Sequence, residues 1–282
     1  MKGPEPMTPT ASSPDASQSW GVASRGYAEK VAPLLMRAFA EAHVERLGVN
    51  MLSEVLEVGA GSGALTEVLS TQVKSVLATD FAPEMIQVLQ ERLQAAGTTN
   101  VQCQVMDGQA LELEDASFDA AASSFALMLF PDRAKGFAEL NRILRPGGRA
   151  VVSGWAGPDK FEAFGLFLTA LQAAFPDMPP PPSPPPVFSL ADPAEFKAEM
   201  EAGGFREVTV DFVARDLTVA NFEEMWSMLT AGAPPVQVLF DRIGLRGRGR
   251  LRGVLQNMVE ERFSGGPITI TNVATLGSGV AS

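Results

Sequence analysis

Apolar and polar residues alternate along the first half of the chain in two periods, one short and continuous, the other helical. Residues 54–58 (EVLEV) form a brief apolar run that stops at a glycine, as a strand buried in a parallel sheet does. Ala64–Ser70 then reads as a helix, and Ser75–Thr79 as a second strand ending at Asp80. Pro83 suits a first helical turn, where its missing N–H costs nothing. Met85, Ile86, Leu89 and Leu93 follow at helical spacing until Gly97 closes that helix. Val101–Val105, Phe118–Ser123 and Ala150–Gly154 read as the third, fourth and fifth strands. Between the last two, Asp132 is placed as an N-cap, Phe137, Leu140 and Leu144 share one helical face, and Pro146-Gly147-Gly148 makes a turn. Strands alternating with helices at this pace predict right-handed βαβ units and a mostly parallel sheet.

The regularity breaks after Trp155. Phe164, Phe167, Leu168 and Leu171 predict a helix, and the proline-rich stretch Pro176–Phe188 an extended connector. Asp192-Pro193-Ala194-Glu195 resembles a capping box opening a helix that ends at Gly203. Val208, Val210 and Phe212 alternate like a strand, residues 221–262 read as helical, and Ile and Thr alternate over Pro267–Leu276 like a last strand. The expected organisation is a disordered tail over 1–19, a helical cap over 20–53, a core over 54–154, a helix and Pro-rich insertion over 155–204, and the last two strands with an inserted helical segment over 205–282.

Composition narrows the function. The net charge of −11 argues against non-specific association with nucleic acid or an anionic membrane. One cysteine, Cys103, and one histidine, His43, offer neither an intramolecular disulfide nor a His-rich metal site. A reducing, cytoplasmic setting without a transition metal is the expectation. The longest nearly apolar runs fall short of the ~20 residues of a membrane helix, so no membrane insertion is expected.

The chemistry lies in VLEVGAGSGALT, residues 55–66. A glycine loop between strand and helix lets backbone N–H groups approach a ligand. A Walker-type phosphate loop is excluded because no lysine follows the glycines. The dinucleotide fingerprint is satisfied by Gly59, Gly61 and Ala64, with Asp80 about 20 residues on, so an NAD(P)-dependent oxidoreductase stays open at this point. Against it, Glu57 would stand near a cofactor pyrophosphate, whereas it suits a cofactor bearing an ammonium group. Asp107 adds a second strand-end carboxylate.

The succession E57-V-G59-A-G61-S-G63, T-D80-F-A-P-E-M, D107-G-Q-A-L with S117-F-D119, and L144-R-P-G-G148 resembles the motifs of class I S-adenosylmethionine-dependent methyltransferases, in the small-molecule branch that includes ubiquinone and menaquinone C-methyltransferases. The resemblance covers about 54–154. It implies a Rossmann-like, doubly wound α/β fold with seven strands, the last antiparallel, and a helical insertion or lid. It further implies that Gly59, Gly61 and Gly63 pass under the methionine and ribose of S-adenosylmethionine and that Glu57 faces its ammonium. Asp80 would accept from the ribose, Phe81 and Met85 flank the adenine, and Asp107 accept from its amino group. Gly108 and Gln109 would border the ring, and Ser124 and Phe125 line the methyl-transfer face. Glu112 stands where the family commonly has Pro.

The expected reaction is in-line methyl transfer to a small-molecule acceptor. A non-catalytic S-adenosylmethionine-binding protein is the other alternative, because no general base stands out; Tyr27 and Asp132 are the candidates. His43 reads as a surface or packing residue. Candidates for the acceptor pocket are Trp20–Met36, Phe125, Met128, Phe130, Trp155, Phe164, Phe188 and Trp226, most of which read more readily as core. The arginine-rich stretch Leu245–Arg252 reads as a solvated helix face, or as a partner for an anionic acceptor.

Overall fold

The computed structural model describes residues 14–179, 185–231 and 234–282. The chain opens with a nearly continuous helical segment: α1 (Pro14–Gly26), a π-helical stretch (Tyr27–Met36) and α2 (Arg37–Leu47). The expected disordered tail therefore needs correction, since residues 14–19 belong to α1; residues 1–13 lie outside the described residues. The core follows as β1 (Glu54–Val58), α3 (Thr66–Ser70), β2 (Ser75–Asp80), α4 (Pro83–Ala96), β3 (Val101–Val105), β4 (Phe118–Ser124), α5 (Arg133–Arg142) and β5 (Leu144–Trp155). After it come α6 (Glu162–Ala174), α7 (Pro193–Ala202), β6 (Arg206–Val219), α8 (Phe222–Thr230), α9 (Pro234–Phe263) and β7 (Ile268–Val280). Part of the Pro-rich connector, residues 180–184, lies outside the described residues.

The seven strands are ordered β3-β2-β1-β4-β5-β7-β6. All neighbours are parallel except β7, which runs antiparallel to both β5 and β6. This is the expected doubly wound Rossmann-like sheet with a last antiparallel strand. Successive side chains of β1 serve opposite faces, so Val55 packs in one apolar core with Leu65, Leu69 and Leu89, and Leu56 in the other with Phe137 and Leu140. Leu144 is corrected from helix to strand: α5 ends at Arg142, and Leu144 pairs with Phe118. The turn at Pro146-Gly147-Gly148 becomes an irregularity inside β5, where Gly147 takes φ +82° and β4–β5 pairing shifts register. Asp192 caps α7 as expected, accepting from the N–H groups of Ala194 and Glu195.

Candidate functional site

Strand order reverses between β1 and β4. In open α/β sheets the crevice outside the carboxyl ends of two such strands is where ligands sit. The chain leaves β1 at Gly59 and β4 at Phe125, and a cleft of about 540 Å³, open mouth included, lies there. It is bordered by Gly59, Gly61 and Asp80, by Phe81 and Met85, by Ser124–Ala126 with Leu129 and Phe130, and by Trp20 and Tyr27 from the segment ahead of β1. A second cleft of about 280 Å³ shares Gly59, Phe81 and Phe130 with it and continues to Val58, Met106, Asp107, Gly108 and Gln109.

The glycine loop is shaped by β2. The N–H groups of Gly59 and Ala60 both donate to the Thr79 carbonyl, at 2.8 and 2.9 Å, which turns the chain back over the strand tip. Gly59 (φ +72°) and Gly61 (φ +54°) are left-handed, a conformation that favours glycine. A Cβ on Gly59 would run into the Ala126 methyl, whereas one on Gly61 would meet nothing within 4 Å. Gly63 is different: it lines neither cleft, and a Cβ there would strike Leu89 of α4. Its missing side chain serves helix packing.

Three carboxylates stand at the ends of neighbouring strands, in three environments. Asp80 is buried, and its oxygens accept from the N–H groups of Gly61 at 2.8 Å and Ala82 at 2.9 Å. Burial pushes its pKa up to about 6, against the lowering effect of those backbone donors. Glu57 is only 1% exposed and accepts from the Thr66 hydroxyl at 2.6 Å. Burial pushes it up to about 8; the Thr66 hydroxyl opposes this and the Asp80 charge adds to it. Glu57 sits beneath the loop and borders neither cleft. Asp107 is exposed and accepts from the backbone N–H of Gln109 at 2.9 Å and from its side-chain amide at 3.1 Å. The Gln109 side-chain oxygen accepts in turn from the Asp132 N–H at 2.9 Å, which fixes this loop to the start of α5.

Aromatic rings close the large cleft. Phe125 takes φ +55°, unusual for a side-chain-bearing residue, and its N–H donates to Ser153 Oγ at 3.1 Å. Its ring stacks on Trp155 at 4.2 Å, and Trp155 on Phe161 at 4.0 Å. Trp20 meets Tyr27 edge to face at 5.7 Å. Burial first, and the Asp80 charge second, push the Tyr27 phenol above its ordinary range.

Residues 56–152 match the family described as "Methyltransferase domain". This stretch is similar to the methyltransferase domains of S-adenosylmethionine-dependent enzymes. The ubiquinone/menaquinone biosynthesis C-methyltransferase of Geobacter sp. (strain M21) is 30% identical over 119 residues, covering 41% of this chain and 51% of that protein. The chain thus spans about half the length of the curated relatives it matches. Among solved structures, the YcgJ protein of Bacillus subtilis superposes with TM-score 0.55 at 19% identity, over 86% of this chain and 97% of that one. The phosphoethanolamine N-methyltransferase 2 of Haemonchus contortus, solved with S-adenosyl-L-methionine, superposes with TM-score 0.56 at 14% identity, over 97% of this chain and 58% of that one. At such identities these two show the fold.

Within residues 56–152, the structure brings Gly59, Gly61, Asp80, Phe81, Met85, Ser124 and Phe125 to one cleft and Asp107, Gly108 and Gln109 to the adjoining one. Of the two base candidates, Tyr27 borders the cleft. Asp132 does not: its carboxylate caps α5, accepting from the Lys135 N–H at 3.1 Å, and that contact holds its pKa below the usual range. Of the acceptor-pocket candidates, Trp155, Phe188, Trp226 and Met128 take the alternative role, buried in the apolar core. Sequence reasoning missed Leu129, Ala126, Val58 and Met106 as lining residues and Thr66 as the partner of Glu57. Val58, Met106 and Ala126 each adjoin a named cofactor-site residue and so carried a positional signal; Leu129 and Thr66 did not.

Proposed function

We propose that the chain binds S-adenosylmethionine along the two joined clefts and transfers its methyl group to a small, largely apolar acceptor. The observation that carries this reading is Asp80: a buried carboxylate at a cleft, held by two backbone N–H groups, with lone pairs left to accept from a ribose. The residues present fit such a donor. Gly61 leaves open space where a side chain would project, and Asp107 and Gln109 give the second cleft a polar end for an adenine amino group. Glu57, buried beneath the loop and protonated at neutral pH without ligand, gives up its proton beside a bound ammonium and then supplies the opposite charge. When bound, S-adenosylmethionine supplies an electrophilic methyl on a sulfonium. Aromatic side chains at the large cleft favour a positive centre there and exclude water.

Tyr27, its phenol kept protonated, donates a hydrogen bond and orients the acceptor without acting as a base. Positioning two reactants in line supplies several kcal/mol by itself, and an acceptor that is already nucleophilic needs no stronger base. The apolar border of Phe125, Leu129 and Phe130 favours a flat, apolar acceptor, in keeping with the quinone-pathway relatives, and the single cysteine fits a cytoplasmic site of action.

Calorimetric titration tests the reading. S-adenosylmethionine and S-adenosylhomocysteine should bind, with Asp80→Ala weakening both by about 10- to 100-fold through the lost charge-assisted hydrogen bonds. Gly61→Arg should abolish binding by filling the loop's open side. Absence of any measurable affinity in the unmodified protein would overturn it. Release of S-adenosylhomocysteine with pooled quinone precursors and phenols separates an enzyme from a protein that only binds the donor.

A further inference from the structure

One feature outside the clefts is left unused by methyl transfer: the arginines of α9. Arg242, Arg246, Arg248, Arg250 and Arg252 fall within 242–259, a stretch that contains no carboxylate, so the rest of the chain is five charges more negative than the net −11. Elsewhere arginines are mostly neutralised. Arg37 and Arg92 share Glu67, Arg133 holds Glu199, and Arg142 and Arg145 each bridge two acids. On α9, Arg252 pairs with Glu223 and, in the last turn, Arg262 with Glu162. Among the described residues no carboxylate pairs with Arg242, Arg246, Arg248 or Arg250. Arg248 and Arg250 instead lie over the rings of Phe240 (4.7 Å) and Phe175 (5.6 Å), contacts that fix the guanidinium and leave its charge intact.

The helix itself presents this charge outward. α9 packs on α6 and α8, burying Gly247, Leu251, Leu255 and Val259. Its helical path is interrupted at Gly244 (φ +64°, ψ −179°), a backbone state open to glycine. On either side of that kink two aliphatic side chains stand in solvent: Val238, 59% exposed, and Leu245, 88% exposed. Val238 is one helical turn from Arg242, and Leu245 adjoins Arg246.

We propose that the exposed side of α9 docks on an anionic lipid surface. Unpaired arginines attract the headgroups, and the aliphatic residues beside them enter the headgroup boundary, the combination that holds interfacial helices in place. Nucleic-acid phosphates would satisfy the charge but give no reward for exposed Val238 and Leu245. The local patch acts within a Debye length and so overcomes the repulsion expected from the chain's overall acidity. The proposal is independent of the methyl donor, and its failure would leave the donor-binding result untouched.

Co-sedimentation of the full chain with vesicles decides it. Binding is expected to vesicles of phosphatidylcholine and phosphatidylglycerol in a three-to-one mixture, not to phosphatidylcholine alone, and should fall sharply between about 0.1 and 1 M salt. Arg246→Glu with Arg250→Glu should weaken it by about tenfold or more. Arg242→Glu, at a side chain with no ion pair or ring contact among the described residues, gives the same direction if the double variant disturbs folding. Leu245→Ser should weaken binding without changing its salt dependence. Equal recovery with neutral vesicles, no recovery with either, unchanged binding by the glutamate variants, or equal affinity for duplex DNA would each overturn the proposal.

Discussion

Gly61 and Gly63 stand two residues apart in one loop and answer to different neighbours. Both are left-handed, so an alanine at either position costs about 1–2 kcal/mol in backbone strain. At Gly61 the new methyl would stand in open space on the loop that donates to Asp80; at Gly63 it would collide with Leu89. Gly61→Ala is therefore expected to lower S-adenosylmethionine affinity by about tenfold with a modest drop in Tm. Gly63→Ala should add an overpacking penalty of about 1–3 kcal/mol, visible as a larger drop in Tm, with the affinity of the folded fraction little changed. Thermal melts paired with calorimetry check this, and equal losses in both variants would merge the two roles. The sequence shows three glycines at alternate positions and cannot separate them, because Leu89 reaches Gly63 only through the fold. Asp80 was legible only together with the glycine loop, since alone an acid at a strand end reads equally as a cap for neighbouring backbone N–H groups. The burial of Glu57 was not: its partner Thr66 lies nine residues on, across a turn of unreadable shape.

At the level of elements, the β-strands and core helices were legible because their periods differ and prolines and glycines mark their ends. The segment ahead of β1 was legible as a helical cap that reaches the site, but not in its π-helical form. A π-helical stretch over Tyr27–Met36 with Pro33 inside it has no 3.6-residue signature, yet it brings Tyr27 to the cleft. Hydrogen bonds among four residues help tie that segment to the domain. Glu67 of α3 accepts from Arg37 of α2 at 2.9 Å and from Arg92 of α4 at 2.9 and 2.5 Å, and Arg92 also donates to the Ala28 carbonyl at 3.3 Å. These groups are half-buried, so the bidentate pair is worth about 1 kcal/mol. Glu67→Gln should therefore speed amide exchange over residues 20–36 several-fold while leaving α5 as it was. Exchange measured by mass spectrometry would detect this, and uniform rates in both regions would show that apolar packing alone holds the segment.

Across the whole molecule, the fold places ionisable groups where the sheet's two apolar cores meet its ligand edge, and stability should record this as a dependence on pH. Burial raises Glu57 to about 8 and Asp80 to about 6, and lowers His43, whose only hydrogen-bond partner among the described residues is the Phe39 carbonyl at 3.0 Å, to about 4. In the unfolded chain the carboxylates ionise near 4 and the imidazole near 6.5. Below about 6.5 the effects oppose: the unfolded chain takes up a proton at His43 that the folded protein refuses, while the folded protein keeps protons on Asp80 and Glu57 that the unfolded chain has lost. Between about 6.5 and 8 only Glu57 remains out of step, protonated when folded and ionised when unfolded. The folded state then binds more protons, so stability falls as pH rises, by up to about 1.4 kcal/mol per unit. Tm of the ligand-free protein should accordingly decline across that window, and Glu57→Gln, which can still accept from Thr66, should flatten the decline. A variant that melts with the same slope as the unmodified protein would show that Glu57 is already ionised at neutral pH, as a ready partner for a cation.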